Sequence, residues 1–177
     1  MPEGETTDLQ VILSSDNRSS APFEDNAVIE KIISGGQTGV DRAGLDAAIA
    51  LGTPHGGWCP KGRKAEDGVI PAVYQLQETP TADYKQRTKW NVRDSDGTLI
   101  LTHGEPTGGT ALTIRLAAVY GKPCLVVDLD DYPSPENVCA WLTTNDIRVL
   151  NIAGPRESGC PGIYDQATQF LISIIGH

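Results

Sequence analysis

Short apolar segments alternate with amphipathic segments from residue 28 to the end of the chain. Four of them have the length and β-branched content of strands: residues 28–34, 97–102, 123–129 and 147–154. Between them, apolar residues recur at helical spacing, most clearly along one face of residues 40–51. Alternating strands and helices form parallel sheets with right-handed crossovers. We therefore expect an α/β fold, a single domain with a Rossmann-like, doubly wound parallel sheet flanked by helices.

One stretch interrupts this alternation. Residues 53–80 are rich in glycine and proline, which predicts a long irregular loop with at most one short strand. Loops of this length inside a compact domain are usually functional or disordered. Before this stretch, Thr38 and Asp41 resemble a capping box at the start of the first helix, and Gly52 is expected to end that helix.

The charge of the chain is distributed unevenly. Residues 1–30 hold seven acidic residues and one arginine in a chain of net charge −9, whereas residues 55–93 hold seven basic and four acidic residues. We interpret residues 1–26 as a flexible acidic tail with a candidate strand at Leu9–Leu13, and residues 27–177 as a Rossmann-like cofactor-binding domain. The basic excess in 55–93 suggests an anionic ligand, and a solvated face of mixed charge is the alternative.

Composition argues against several classes of protein. An acidic chain is poorly suited to coat nucleic acid, and no apolar run reaches the roughly 18–20 residues that span a membrane. The four cysteines lack paired spacing, and no secretory signal precedes them. We therefore expect a cytoplasmic protein with reduced thiols that binds neither nucleic acid nor membrane.

The glycine-rich turn at residues 35–39 follows the first strand and precedes the first helix. Backbone N–H groups at a helix N-terminus attract anions, and glycines let a ligand approach closely. Arg42, in the first helical turn, would face the positive end of the helix dipole, which is unfavourable without a nearby anion. We interpret this turn as an anion cradle, and a tight turn without a ligand is the alternative. On the cradle interpretation, Gly36→Asp would abolish anion binding and leave the fold largely intact.

Three other segments are expected at the same edge of the sheet, beyond the carboxyl ends of the strands. Residues 106–110 form a second glycine-rich helix start, and residues 151–164 offer polar side chains after the last strand. The loop at 55–68 carries Trp58, Lys61 and Arg63 and predicts a lid over a flat, anionic ligand, unless Trp58 packs on the core. A metal site at His55 and Cys59 lacks further ligands at zinc spacing.

Signatures of catalysis are weak in this sequence. There is no G-x-S-x-G elbow, and no pair of carboxylates follows two strands in an acid–base arrangement. A Cys59–His103 pair remains open, although nothing in the sequence favours it.

Four motifs resemble those of the molybdenum cofactor carrier proteins. They are "ISGGQTGVDRAGLDAA", "GGWCPKGRKAEDG", "TPTADYKQRTKWNVRDSDGTLIL" and "NIAGPRES…PGIY", in that order within about residues 28–175. That family has a Rossmann-like fold and is related to lysine-decarboxylase-like and lonely-guy proteins. The resemblance implies a homo-oligomer that binds and protects molybdenum cofactor as cargo. Molybdoenzymes or proteins of cofactor synthesis are the partners that it implies.

The resemblance also allows an enzyme, a lonely-guy-like phosphoribohydrolase that acts on nucleoside 5′-monophosphates. Its PGGxGTxxE pattern ends in a glutamate that assists glycosidic cleavage, and Thr113 stands at that position when the Gly-Thr is aligned with Gly109-Thr110. The loss of this carboxylate argues against catalysis, unless Glu105 or Glu157 substitutes for it. A nucleotide-sensing module is a third alternative.

The resemblance implies a carrier, and together with the residue patterns it leads us to expect no catalytic residue and no metal held by protein ligands. The residues expected to bind the cofactor are Gly35, Gly36, Gln37, Thr38, Gly39, Arg42, Lys61, Gly108, Gly109, Thr110, Arg156 and Ser158.

Overall fold

The computed structural model describes residues 28–177. The predicted acidic tail, its candidate strand and the domain boundary at residue 27 lie outside these residues. In chain order the elements are β1 (Lys31–Ile33), α1 (Val40–Leu51), β2 (His55–Gly56), β3 (Trp58–Cys59), β4 (Lys64–Ala65), β5 (Gly68–Val69), β6 (Gln77–Glu78), α2 (Tyr84–Asp94), β7 (Gly97–Thr102), α3 (Gly108–Val119), β8 (Cys124–Asp128), α4 (Pro135–Thr144), β9 (Val149–Ala153) and α5 (Ile163–Ile175).

The main sheet has five parallel strands in the order β2-β1-β9-β7-β8. The last strand of the chain therefore lies at the centre, where Asn151 pairs in register with Ile33 on one side and Thr98 on the other. Strands β1 and β2 lie on one side of β9, and strands β7 and β8 lie on the other side. The strand order therefore turns toward opposite edges of the sheet at β9. The carboxyl ends of β9 and β7 thus flank the switch point at which ligands bind in such sheets.

Helices cover both faces of this sheet, which confirms the predicted Rossmann-like fold. Helices α1, α4 and α5 pack together on one face, around an aliphatic core that includes Leu99, Ile152 and Leu171. Helices α2 and α3 pack together on the other face. Buried polar side chains are frequent there, and the Asn151 amide donates to Thr98 Oγ1 over 3.2 Å. These buried polar side chains extend from the layer between the sheet and helices α2 and α3 to the carboxyl edge of the sheet.

The stretch that was predicted to be irregular is instead folded. Within residues 53–80, β2 joins the main sheet, β3 pairs with β6, and β4 and β5 form an antiparallel hairpin. The guanidinium of Arg63 donates to four backbone carbonyls, those of Ile70, Pro71, Tyr74 and Leu76, at 2.9–3.3 Å. Arg63 therefore holds the stretch together from inside, and the predicted role for it in a lid over a ligand is wrong.

Trp58 is also part of the structure of this stretch and not a cover for a flat ligand. Its indole N–H donates to Asp94 over 2.7 Å, and its ring packs edge-on against Trp90 with centroids 4.7 Å apart. Both partners belong to α2, and Trp58 is only partly buried, so Trp58 packs on this helix and not on the core as the alternative prediction had it.

Replacing Arg63 with methionine should lower the free energy of unfolding by about 2–4 kcal/mol, because several carbonyls lose a charged donor at once. Lys61→Met is the matched control, since the exposed Lys61 side chain makes no hydrogen bond or ion pair within residues 28–177. Chemical denaturation of both variants measures the difference. Equal stability of the two variants would show that the four contacts contribute nothing.

The first helix begins later than the capping pattern indicates. Its N-cap is Gly39, which has no side chain to cap it, and Gly52 ends it in a left-handed conformation as predicted. Asp41 does accept from the Gln37 N–H over 3.2 Å, but the Thr38 hydroxyl contacts Glu66 instead of the helix. Thr38 is therefore not the cap. Within residues 28–177, no helix is both long and apolar enough to cross a membrane.

Candidate functional site

The loops that follow β1 and β9 meet at the carboxyl edge of the sheet. The Val40 N–H donates to the Pro155 carbonyl over 3.3 Å, and the Glu157 N–H donates to Thr38 Oγ1 over 3.2 Å. A Cβ atom at Gly39 would lie 2.4 Å from the Pro155 carbonyl oxygen. The structure therefore brings together two of the segments in which binding residues were predicted.

The first glycine turn is largely enclosed by the protein itself. The Gln37 N–H is taken by Asp41 and the Thr38 N–H by Gln37 Oε1, at 3.2 and 3.1 Å. Gly36 has a φ of +77°, and a Cβ there would lie 2.5 Å from Leu76 Cδ1. Gly36→Asp would bury a carboxylate against that side chain, so the expectation that the fold would tolerate this change is wrong.

The hairpin β4–β5 reaches this edge with two acidic residues at its tip. Glu66 contacts the Thr38 hydroxyl and accepts from the Ser158 N–H and hydroxyl at 3.2 and 2.5 Å, with Arg156 Nη1 at 3.8 Å. Burial alone would raise the pKa of Glu66, but these hydrogen bonds and the charge of Arg156 hold it below its ordinary value. The pocket around Glu66 therefore stabilises a negative charge.

The neighbouring Asp67 pairs with Arg42 through both carboxylate oxygens. The hydrogen bond from Arg42 holds the pKa of Asp67 below its ordinary value. This carboxylate is the anion that Arg42 requires near the positive end of α1. Four of the predicted binding residues, Thr38, Arg42, Arg156 and Ser158, thus contact the hairpin tip.

The second glycine-rich loop is open. Among residues 28–177, no atom lies within 4 Å of a Cβ built at Gly104, Gly108 or Gly109. Gly108 begins α3, whose N-cap Thr107 makes no side-chain cap, and Thr110 is buried in the first turn. The first N–H groups of a helix have no partner inside it, so this helix start can accept an anion from solvent.

Arg87 of α2 is a candidate site residue that the sequence reading missed. Its guanidinium lies directly over the end of β1, where a Cβ at Gly35 would be 2.4 Å from Nη1. Its Nε is buried and has no hydrogen-bond partner within residues 28–177. Its position in the sequence could have indicated this role. Arg87 is one residue before Thr88 and four before Asn91, both buried in an otherwise polar helix, which places the arginine near the buried face.

Asp41 is the partner of this arginine, with 3.7 Å between Asp41 Oδ2 and Arg87 Nη2. Burial raises the pKa of Asp41 above its ordinary value, and Arg87 and the Gln37 N–H offset this only in part. Gly35, Asp41, Arg87, Thr113 and Asn151 line a cavity of about 10 Å³. That is room for one water, so a larger ligand would have to bind at the mouth of this cavity.

Thr113 lies on the wall of this cavity and is buried. Its hydroxyl donates to the Gly109 carbonyl over 2.9 Å. Of the two carboxylates considered as substitutes for the missing glutamate, Glu157 accepts from the Gly162 and Tyr164 N–H groups at the start of α5. Glu105 lies exposed in the second glycine-rich loop. The structure therefore shows a buried threonine where a catalytic glutamate was sought.

The Cys59–His103 pair that the sequence left open does not form. His103 Nδ1 lies 3.1 Å from Cys160 Sγ, and Cys59 is buried beside β6. His55 Nε2 accepts from the Gln75 N–H over 3.2 Å. Within residues 28–177, no group of three or more His, Cys, Asp or Glu residues could hold a metal ion.

Comparisons with known proteins agree with this architecture. A model of the circularly permutated YpsA SLOG family matches residues 32–175. Counted from the central strand β9, the sheet order becomes 3-2-1-4-5, the Rossmann order, so the chain has the topology that a circular permutation would give.

Among solved structures, the chain is similar to that of a "putative molybdenum carrier protein" from Syntrophus aciditrophicus SB. The identity is 53% and the TM-score 0.79, over 84% of this chain and 95% of that one. No protein with a curated description matches the chain. The family match and this similarity both extend over most of the chain, and the chain belongs to the circularly permutated YpsA SLOG family.

Proposed function

We propose that this protein binds molybdenum cofactor as cargo at the carboxyl edge of its sheet, without catalysing a reaction. The cargo is suggested by the similar protein from Syntrophus aciditrophicus SB, whose structure is described as that of a "putative molybdenum carrier protein". The observation that supports binding at this edge is the position of Arg87, a largely buried arginine that lines the same cavity as Thr113 of α3 and whose Nε has no hydrogen-bond partner within residues 28–177.

The donors at this edge suit a phosphorylated ligand. The N–H groups of Gly108 and Gly109, with Thr110, would hold the terminal phosphate at the positive end of α3. Arg87 would add charge from the opposite side of the cavity mouth. We assign the pterin and its oxo-molybdenum end to the edge between the first turn and the last loop, at Thr38, Arg42, Arg156 and Ser158, with Lys61 as an exposed cation nearby in sequence.

A carrier rather than an enzyme is favoured by Thr113. Its hydroxyl is committed to the Gly109 carbonyl, and it cannot act as a carboxylate in glycosidic cleavage. Glu157 is occupied by two N–H groups, which makes it a poor substitute. These contacts weaken the hydrolase alternative, whereas a nucleotide-sensing module would use the same donors.

The test is to incubate the purified protein with released molybdenum cofactor under anaerobic conditions and separate the two by gel filtration. We expect molybdenum to elute with the protein, and the bound cofactor to retain its ability to activate a cofactor-free molybdoenzyme longer than free cofactor does. A parallel assay follows the release of free base from nucleoside 5′-monophosphates. Base release without cofactor binding would refute the carrier and support the hydrolase, and nucleotide binding alone would support the sensor.

A further inference from the structure

The tip of the β4–β5 hairpin places two carboxylates where a ligand anion would bind. Glu66 takes the Thr38 hydroxyl and both polar groups of Ser158, and the guanidinium of Arg156 lies 3.8 Å away. Hydroxyls, a backbone N–H and an arginine are also the donors that hold phosphate and other oxyanions. The side chain of Glu66 is only 18% exposed, although it is charged. The protein therefore contains a complete anion site that is filled by its own carboxylate.

From this geometry we propose that the Glu66–Asp67 tip is a tethered competitor, which an anionic group of the ligand must displace from Thr38, Arg156 and Ser158 before it can bind there. The proposal deepens the proposed function and rests on it, because the hairpin controls access to part of the same site.

The second carboxylate of the tip strengthens the closed state. Asp67 pairs with Arg42 in α1, and its neighbour Glu66 pairs with the loop after β9, so the tip joins two separate segments. The Glu66 N–H also donates to Gln37 Oε1 over 2.9 Å. Because Glu66 and Asp67 are adjacent, this hydrogen bond and both carboxylate contacts must break when the tip leaves. Displacement by one ligand anion would then also free the guanidinium of Arg42 for the ligand.

The hairpin is built so that its tip can move while its base stays in place. The base is fixed by Arg63, which binds four carbonyls, and by the buried Ile70. The two strands of the hairpin are only two residues long, and the side chain of Asp67 is 47% exposed. Solvent and ions therefore reach the contact that has to open first.

A closed tip lowers the apparent affinity for any anion that needs this cradle. If the open form makes up about 1–10% of the molecules, the apparent affinity falls by about 10- to 100-fold. Removal of the two charges from the tip should recover this factor, since glutamine and asparagine keep the shape of the side chains but no longer mimic an anion.

The experiment compares the wild type with E66Q/D67N and with the control D131N/D165N, which removes two exposed carboxylates that make no hydrogen bond or ion pair within residues 28–177. Inorganic phosphate is titrated into each protein at constant ionic strength, and binding is followed by the amide NMR shifts of Thr38 and Ser158, so that phosphate bound at the start of α3 is not counted. We expect E66Q/D67N to bind phosphate about 10- to 100-fold more tightly than the wild type, and the control to match the wild type within about twofold. Unchanged, weaker or undetectable phosphate binding by E66Q/D67N would overturn the proposal.

A measurement on the wild type keeps the proposal testable if E66Q/D67N folds poorly. Phosphate should speed amide hydrogen exchange at residues 64–69, because it releases the tip, and it should leave exchange in α5 unchanged. Unchanged or slower exchange at 64–69 in saturating phosphate would identify the hairpin as a fixed structural strap. If E66Q/D67N binds phosphate more tightly while no variant binds the cofactor, the proposed function fails and the competitor stands. If the protein binds the cofactor but E66Q/D67N does not bind phosphate more tightly, the competitor proposal fails and the proposed function stands.

Discussion

Replacing Gly39 with alanine is expected to lower the free energy of unfolding by about 3–5 kcal/mol. Gly39 has φ +77° and ψ −130°, a conformation that residues with a side chain rarely adopt. The added Cβ would also lie 2.4 Å from the Pro155 carbonyl oxygen and 2.8 Å from the Glu157 nitrogen. Both neighbours are backbone atoms, so neither can rotate away.

The same change should also disturb the candidate site. Relief of the contact requires the loop after β9 to move away from the first turn, which separates the Glu157 N–H from Thr38 Oγ1. Arg156 and Ser158 would move with that loop. We therefore expect any folded Gly39→Ala protein to hold the hairpin tip less firmly, which hydrogen exchange at residues 64–69 would show.

Gly52→Ala is the control for the backbone part of this effect. Gly52 also has a positive φ, +69°, but no atom of the described residues 28–177 lies within 4 Å of its Cβ position. Its replacement should cost only about 1 kcal/mol, and chemical denaturation of the two variants measures the difference between them. If the two variants are equally stable, the close approach of the last loop to Gly39 contributes nothing.

The sequence alone was sufficient to predict the longer helices and strands of the fold. The strand at 97–102 is buried along its whole length, and its β-branched run is recognisable without neighbours. Helix α4 begins at Ser134-Pro135 as the proline predicts. Such elements are determined by local propensity and periodicity, which a single sequence contains.

The stretch at 53–80 could not be read in the same way, because tertiary contacts determine its structure. Its strands have two residues each, which is too short for any periodicity. Arg63 holds the stretch together by donating to backbone carbonyl groups. Because every residue has a backbone carbonyl, the partners of Arg63 cannot be identified from the sequence. The same limit applies to the central position of β9, since strand order depends on contacts between distant segments.

The two glycine-rich turns show why the site was only partly predictable. Both have the composition of an anion cradle, but the structure leaves only the second one open. In the first, Leu76 covers Gly36, and the N–H groups of Gln37 and Thr38 have partners. Whether a glycine turn is free depends on what packs against it, and here the cover comes from the stretch that sequence could not resolve.

The second large effect concerns ligand binding. Arg87→Met should weaken the binding of released molybdenum cofactor by about thirtyfold or more, because truncation of a buried charge that meets an anion costs about 2–5 kcal/mol. Lys89→Met removes the same charge from the exposed face of α2 and should leave the affinity within about twofold of the wild type. Gel filtration with determination of molybdenum in the protein fraction measures both.

The design of the Arg87 variants must allow for Asp41, which would be left buried without its partner in Arg87→Met. Breaking such a pair can cost about 3–5 kcal/mol of stability, so the double variant R87M/D41N, which removes both charges, is the second test protein. Arg87→Lys keeps the charge beside Asp41 but loses the planar guanidinium, and we expect an intermediate loss of about tenfold. A folded R87M or R87M/D41N protein that binds the cofactor as the wild type does would place the anion elsewhere. The unpartnered Nε of Arg87 would then be a feature of the fold and not of a binding site.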